Sequence, residues 1–215
     1  MLIDIKRKLI FVAGIKTAST SIERLLEKRV DIRIVRSEWG KHDSLAEIQQ
    51  KYAWLFQRVD YTSFFKWGVV RDPSDWLWSI YSSHSDEKFA SNPNLYTGDI
   101  SFDEFLGVWC RKNAGQIVPQ HKRFLGESGQ MEANLLIPLD MLHLGLQLVA
   151  PKYGVDISNI PELKVSHKKK TEPEERQKMK QFIQAQYTED LALFERAQTR
   201  MKLLESDAKG GDIAN

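Results

Sequence analysis

Apolar residues in this chain fall either in short unbroken runs or at helical spacing. Four runs, 9–13, 32–35, 64–70 and 135–138, have the length and composition of buried strands. Between them the apolar residues recur three and four apart. Ile22, Leu25 and Leu26 form one such face, and Leu45, Ile48, Tyr52 and Leu55 form another that begins near Ser44. Trp76, Leu77, Ile80 and Tyr81 follow Pro73, which suits a first helical turn. Phe102, Phe105, Leu106 and Trp109 follow Ser101, which forms a capping box with Glu104. From Glu172 nearly to Glu205 the spacing predicts one helix, with Tyr187, Leu191, Phe194, Ala197 and Met201 on one stripe. Strands alternating with helices predict an α/β fold whose mostly parallel central sheet is covered on both faces. Residues 1–205 read as a single domain, and 206–215 (SDAKGGDIAN) as a flexible C-terminal tail.

Composition narrows the class. Hydrophobic residues make up 42% of the 215 and charged residues 28%, a balance that excludes a disordered chain. The formal charge of +2 asks for no nucleic-acid partner. Cys110, the single cysteine, leaves no internal disulfide. No run approaches the roughly 20 apolar residues of a membrane span. With a first strand at Leu9 there is no room for a signal peptide, so a soluble cytoplasmic protein is expected.

The chemistry concentrates in two stretches. LIFVAGIKTASTS, residues 9–21, runs from a strand through a hydroxyl-rich turn into a helix, the order in which α/β proteins build a phosphate cradle. It is not a Walker A loop, because the two glycines that motif needs would fall at Ile10 and Ile15. Lys16 instead precedes Thr17, Ala18, Ser19, Thr20 and Ser21, whose hydroxyls and helical N–H groups suit one tetrahedral anion. The competing reading has the hydroxyls merely capping the helix. The second stretch, FFKWGVVRDPSDWLWSIY at 64–81, delivers Arg71 at a strand end with Ser79 about two turns down the following helix. Together they suit a second anion, the alternative being an Arg71 paired with Asp72 or Asp75.

KTASTS followed by VVRDP and a downstream Ser-x-Tyr resembles the sulfotransferases that use 3'-phosphoadenylyl sulfate (PAPS), most closely the branch of carbohydrate sulfotransferases and their bacterial relatives. The resemblance continues loosely through GKHDSLAEI at 40–48, PQHKRFL at 119–125, NLLIPLDML at 134–142 and YTEDLALF at 187–194. It implies a P-loop-like three-layer fold. It also implies that the first loop holds the 5'-phosphosulfate, and that Arg71 and Ser79 hold the 3'-phosphate. His42 lies where the family places its catalytic histidine. The chain departs from the pattern at Ile15, where the family often has Pro, and at Ser19, where it often has Gly. It departs also at Trp76, in place of a second Arg, and at Asp140, in place of a Glu; the later Asn-x-Ser element is only suggested at 164–166.

The expected activity is transfer of a sulfuryl group from PAPS to a hydroxyl or amine of an unidentified small-molecule or carbohydrate acceptor, leaving adenosine 3',5'-bisphosphate (PAP). His42, alone among five histidines, sits between the phosphate strands and just ahead of a helix, and is the expected base. Lys16 would stabilise charge on the leaving group, with Ser79 restraining it between turnovers. No metal is required for this chemistry. The lysines at 168–170 read as a solvated loop, and 84–99 as a mobile loop over the acceptor side. Two other readings stand beside this one: a degenerate P-loop nucleotide kinase, and a catalytically silent nucleotide-binding protein.

Overall fold

A computed structural model describes residues 1–156 and 172–211. Its strands are β1 (Leu2–Asp4), β2 (Leu9–Val12), β3 (Ile32–Arg33), β4 (Phe65–Val70) and β5 (Leu135–Pro138). They form one mixed, mostly parallel sheet in the order β3-β1-β2-β4-β5. Strand β1 runs antiparallel to both of its neighbours, while β2, β4 and β5 pair in parallel, so four strands share one direction. The sequence pattern does not announce β1. Three residues are too few to show a period, and the strand is recognisable only by its pairing with β2 across a tight hairpin.

The described helices are α1 (Ser19–Leu26), α2 (Leu45–Lys51), α3 (Ala53–Phe56), α4 (Pro73–His84), α5 (Phe102–Glu104), α6 (Cys110–Lys112), α7 (Leu142–Val149), α8 (Pro173–Gln186) and α9 (Thr188–Gly211). They flank the sheet on both faces. Every residue of β2 is buried, with the alternation a doubly covered strand requires. Leu9 and Phe11 join one core with Ile22, Trp67, Ile137 and Leu146. Ile10 and Val12 join the opposite one with Leu45, Ile48, Val70 and Phe194. A third cluster packs α4 against the Phe102–Lys112 region and α8, around Trp76, Phe105 and Ile183.

Three expectations need correction. The helix expected from 172 to 205 is two helices. Tyr187 breaks it, turning its ring edge-on to Trp76 at 5.7 Å and its hydroxyl toward the Ile117 carbonyl, and α9 restarts at Thr188. Helix α9 then continues to Gly211, past Glu205, so the first part of the expected tail is helical. Between α5 and α6 the backbone takes a π-helical turn, Phe105–Trp109, in the middle of the helix expected there. Helix α7, which the apolar pattern did not single out, covers the Trp67 side of the sheet. The suggested 164–166 element and the lysines at 168–170 lie outside the described residues. Among the described residues no helix is long and apolar enough to cross a membrane.

Candidate functional site

Strands β2 and β4 are parallel neighbours, with Val12 opposite Gly68, so the loops leaving them start side by side at one sheet edge. The first loop, Gly14 to Ala18, is the more constrained. Lys16 and Ala18 both have left-handed backbone, with φ of 59° and 57°. A left-handed residue on either side of Thr17 curls successive peptide N–H groups toward one point, the arrangement of an anion nest. Two donors from the second element fix this curl. The Trp76 indole N–H donates to the Ile15 carbonyl at 2.9 Å, and an Arg71 guanidinium N–H donates to the Lys16 carbonyl at 3.3 Å. In a trans peptide the N–H points opposite to its carbonyl, so the N–H groups of Lys16 and Thr17 are turned away from these partners.

The capping alternative does not hold. Ala18 occupies the N-cap of α1, and no side chain caps that helix. Thr17, 1% exposed, keeps its hydroxyl oxygen buried and unpartnered, and so does Ser79, 6% exposed, on α4. Ser79 lies one turn beyond Trp76 and so on the face of α4 that meets the loop. Thr20 is turned elsewhere, accepting from the Lys41 ammonium at 3.3 Å, and Lys41 also pairs with the buried Glu23 at 3.1 Å. Ser19 is buried at the start of α1, and Ser21 is half-buried.

The electrostatics are one-sided. Burial lowers the Lys16 pKa from its ordinary value, and the two charges that act on it, Arg71 and Lys88, are both positive. Burial likewise lowers that of Arg71, against the opposing fields of Asp75 and Asp72. The backbone of Arg71 is clamped: the Gln120 side chain accepts its N–H at 2.9 Å and donates to its carbonyl at 2.8 Å. Gln120 is itself held by the buried carboxylate of Asp190, which accepts the backbone N–H groups of Gln120 and His121. The His121 ring closes the knot, 2.7 Å from Asp190 and 2.6 Å from Glu189.

His42 belongs to the same site. Its Nδ1 donates to the Ala13 carbonyl at 2.7 Å, which pins the ring to the end of β2 beside Gly14. A carbonyl can only accept, so Nδ1 carries the proton and Nε2 keeps its lone pair. Burial, with help from Arg123 and Lys41, lowers the His42 pKa to about 4. The turn that presents the ring needs Gly40, at φ 91°. Arg123 is buried and donates to the His42 carbonyl. His42, Ile15, Ser37, Asp43, Gln116 and Lys122 all line a cavity of about 620 Å³. Two apolar side chains, Ile15 and Val118, face it, and the rest of its lining is mostly polar or charged.

Of the residues expected from sequence, Lys16, Thr17, Arg71 and Ser79 gather around the loop, with His42 at its other side. Ala18 serves through its backbone. Ser19, where the resemblance places a Gly, is helical; the left-handed backbone falls one residue earlier, at Ala18, and also at Lys16. Trp76, which stands where the resemblance implies a second arginine, is the loop's clamp. Sequence reasoning gave no role to Lys41, Gln120, Arg123 or Asp190. All four lie in segments that carry the resemblance, but nothing in a linear pattern says that Asp190 reaches back across 70 positions to Gln120. The 84–99 segment is tied down by Thr97, which is buried and donates to the Tyr81 carbonyl at 2.6 Å. Asp140 accepts from the Gln198 amide at 3.0 Å. Among the described residues no cluster of three or more His, Cys, Asp or Glu is placed to hold a metal ion. No protein-family model matches the chain, and no curated protein matches it.

Proposed function

We infer that the chain is a PAPS-dependent sulfotransferase of P-loop-like fold, acting on a polar hydroxyl or amine acceptor. One observation carries the reading. Lys16 and Arg71, two desolvated cations, meet at adjacent parallel strand ends beside the buried, unpartnered hydroxyls of Thr17 and Ser79. Unpaired buried polar groups cost roughly 1–3 kcal/mol each, and a tetrahedral anion relieves both cations and hydroxyls together. The residues therefore fit a ligand with two phosphate-like groups. Lys16, Thr17 and the N–H groups opening α1 would take the first, and Arg71 with Ser79 the second.

When bound, the donor supplies the sulfuryl group, and charge develops on the oxygen that bridges sulfur to the 5'-phosphate. Lys16 offsets that charge, and its burial strengthens the effect. Nε2 of His42, unprotonated at neutral pH, accepts the proton of the acceptor group. The Ala13 carbonyl holds the ring in the tautomer this step needs. Polar and charged side chains outnumber apolar ones around the cavity beside His42, which favours an acceptor with several hydrogen-bonding groups.

The test is nucleotide preference. ADP and AMP lack a 3'-phosphate and leave the Arg71–Ser79 position empty. A charged hydrogen bond contributes roughly 1.5–3 kcal/mol, so PAP binds about 10²-fold more tightly than either. At a hundredfold excess over its dissociation constant PAP adds about 2.7 kcal/mol of stability. Thermal melts with PAP rise clearly while equal ADP or AMP does little, and Arg71→Gln removes most of the difference. Equal shifts from all three nucleotides would falsify the assignment.

A further inference from the structure

We propose that the cavity between the π-helical turn Phe105–Trp109 and α8 is a second ligand site, for a small anion with an aromatic or alicyclic body. It is separate from the PAPS loop and the His42 cavity and does not depend on what they bind.

The cavity is an open cleft of about 800 Å³, within the range of small-molecule sites. Its floor is apolar and buried: Leu106, Cys110, Ile117 and Tyr187. Phe182, half-buried on α8, gives it a side wall and stands 6.1 Å from the Tyr187 ring. The two rings, tilted 43° to each other, form one aromatic wall that with the aliphatic floor suits a flat or compact apolar body. A π-helical turn widens a helix at one point and recurs at functional sites. Here it carries Gly107 to the edge of the cavity, where an added Cβ meets nothing within 4 Å.

The charge at the mouth selects the polar end. Lys178 is taken up by two carboxylates, Asp103 at 2.8 Å and Glu174 at 3.1 Å, and offers no free charge to a ligand. Arg111 bonds the Gly107 carbonyl through Nε at 2.8 Å, and among the described residues it has no carboxylate partner. A single negative group on the ligand therefore meets Arg111, whose fork keeps donors to spare. The floor also leads toward the loop. Tyr187 packs edge-on against Trp76, and Trp76 holds the Ile15 carbonyl.

The probe is 1-anilinonaphthalene-8-sulfonate, titrated into the full chain and followed by its fluorescence. One saturable site per chain is expected. Gly107→Phe fills the cavity from an exposed helical position without strain and lowers probe affinity more than about tenfold. Gly115→Phe places the same ring in the His42 cavity, where an added Cβ also meets nothing within 4 Å, and leaves affinity within about twofold. Arg111→Gln weakens the sulfonate probe about tenfold, and leaves the neutral N-phenyl-1-naphthylamine unchanged. Far-ultraviolet circular dichroism and an unchanged melt check that each variant is folded. The proposal is overturned if native protein shows no saturable binding, if Gly107→Phe binds as the native chain does, or if Gly115→Phe abolishes binding. Equal losses of charged and neutral probe in Arg111→Gln overturn the anion assignment.

Discussion

Two residues at the loop, His42 beside it and Ala18 within it, each carry a prediction. His42 has its pKa lowered to about 4 by burial, below the ordinary 6.5, so its neutral form persists well into acid. Activity that needs a neutral His42 is present above that pKa and lost as pH falls through it. For the proposed sulfuryl transfer, the acid limb of kcat/KM, which reports the free enzyme, is therefore expected near pH 4 and not near 6.5. Replacing the base, His42→Ala, should lower kcat by about 10² to 10⁴ and leave PAP affinity unchanged. An acid limb at 6.5, or a variant retaining half the rate, removes His42 from the role. Ala18 carries a different cost. A left-handed L-residue is strained by roughly 1–2 kcal/mol, while glycine loses roughly 0.4–1 kcal/mol through unfolded-state freedom. Ala18→Gly, at φ 57°, should therefore stabilise the fold by about 0.5–1 kcal/mol in denaturant melts. A destabilised variant would mean that the methyl group packs to greater advantage than the backbone loses.

Among the elements, α9 has more to do with the site than its distance along the chain suggests. Its first turn supplies Asp190, which accepts two backbone N–H groups and the His121 ring. Through Gln120 that carboxylate fixes the backbone of Arg71 at the end of β4. Truncation leaves at least two buried donors unpaired, at roughly 1–3 kcal/mol each. Asp190→Ala should thus cost more than about 2 kcal/mol of stability and weaken PAP binding while AMP binding is spared. Nucleotide titration in variant protein that still melts cooperatively checks this. Equal loss of both nucleotides would indicate general loosening in place of a displaced Arg71. Helix α4 acts at shorter range, since one face carries the loop clamp Trp76 and the open hydroxyl of Ser79.

At the scale of the whole molecule, the sheet order puts β2 beside β4, and that adjacency makes a site from two distant stretches. Local pattern was enough for most of the framework. The runs at 9–13, 64–70 and 135–138 became strands within one residue of either end, because buried strands and helix faces write their periods directly into the sequence. The cations and hydroxyls of both loops were legible for the same reason: a strand end followed by a helix start is a local event. What sequence could not determine depends on contacts far apart in the chain. Strand β1 is defined by its pairing with β2, and the break at Tyr187 by a ring that prefers Trp76 to solvent. The lowered pKa of His42 comes from burial and from Arg123, 81 positions away. Residue types and short-range spacing specify which groups exist and which face they take. Only the packed structure removes water from them, and desolvation is what sets a lysine, an arginine and a histidine apart as a candidate site.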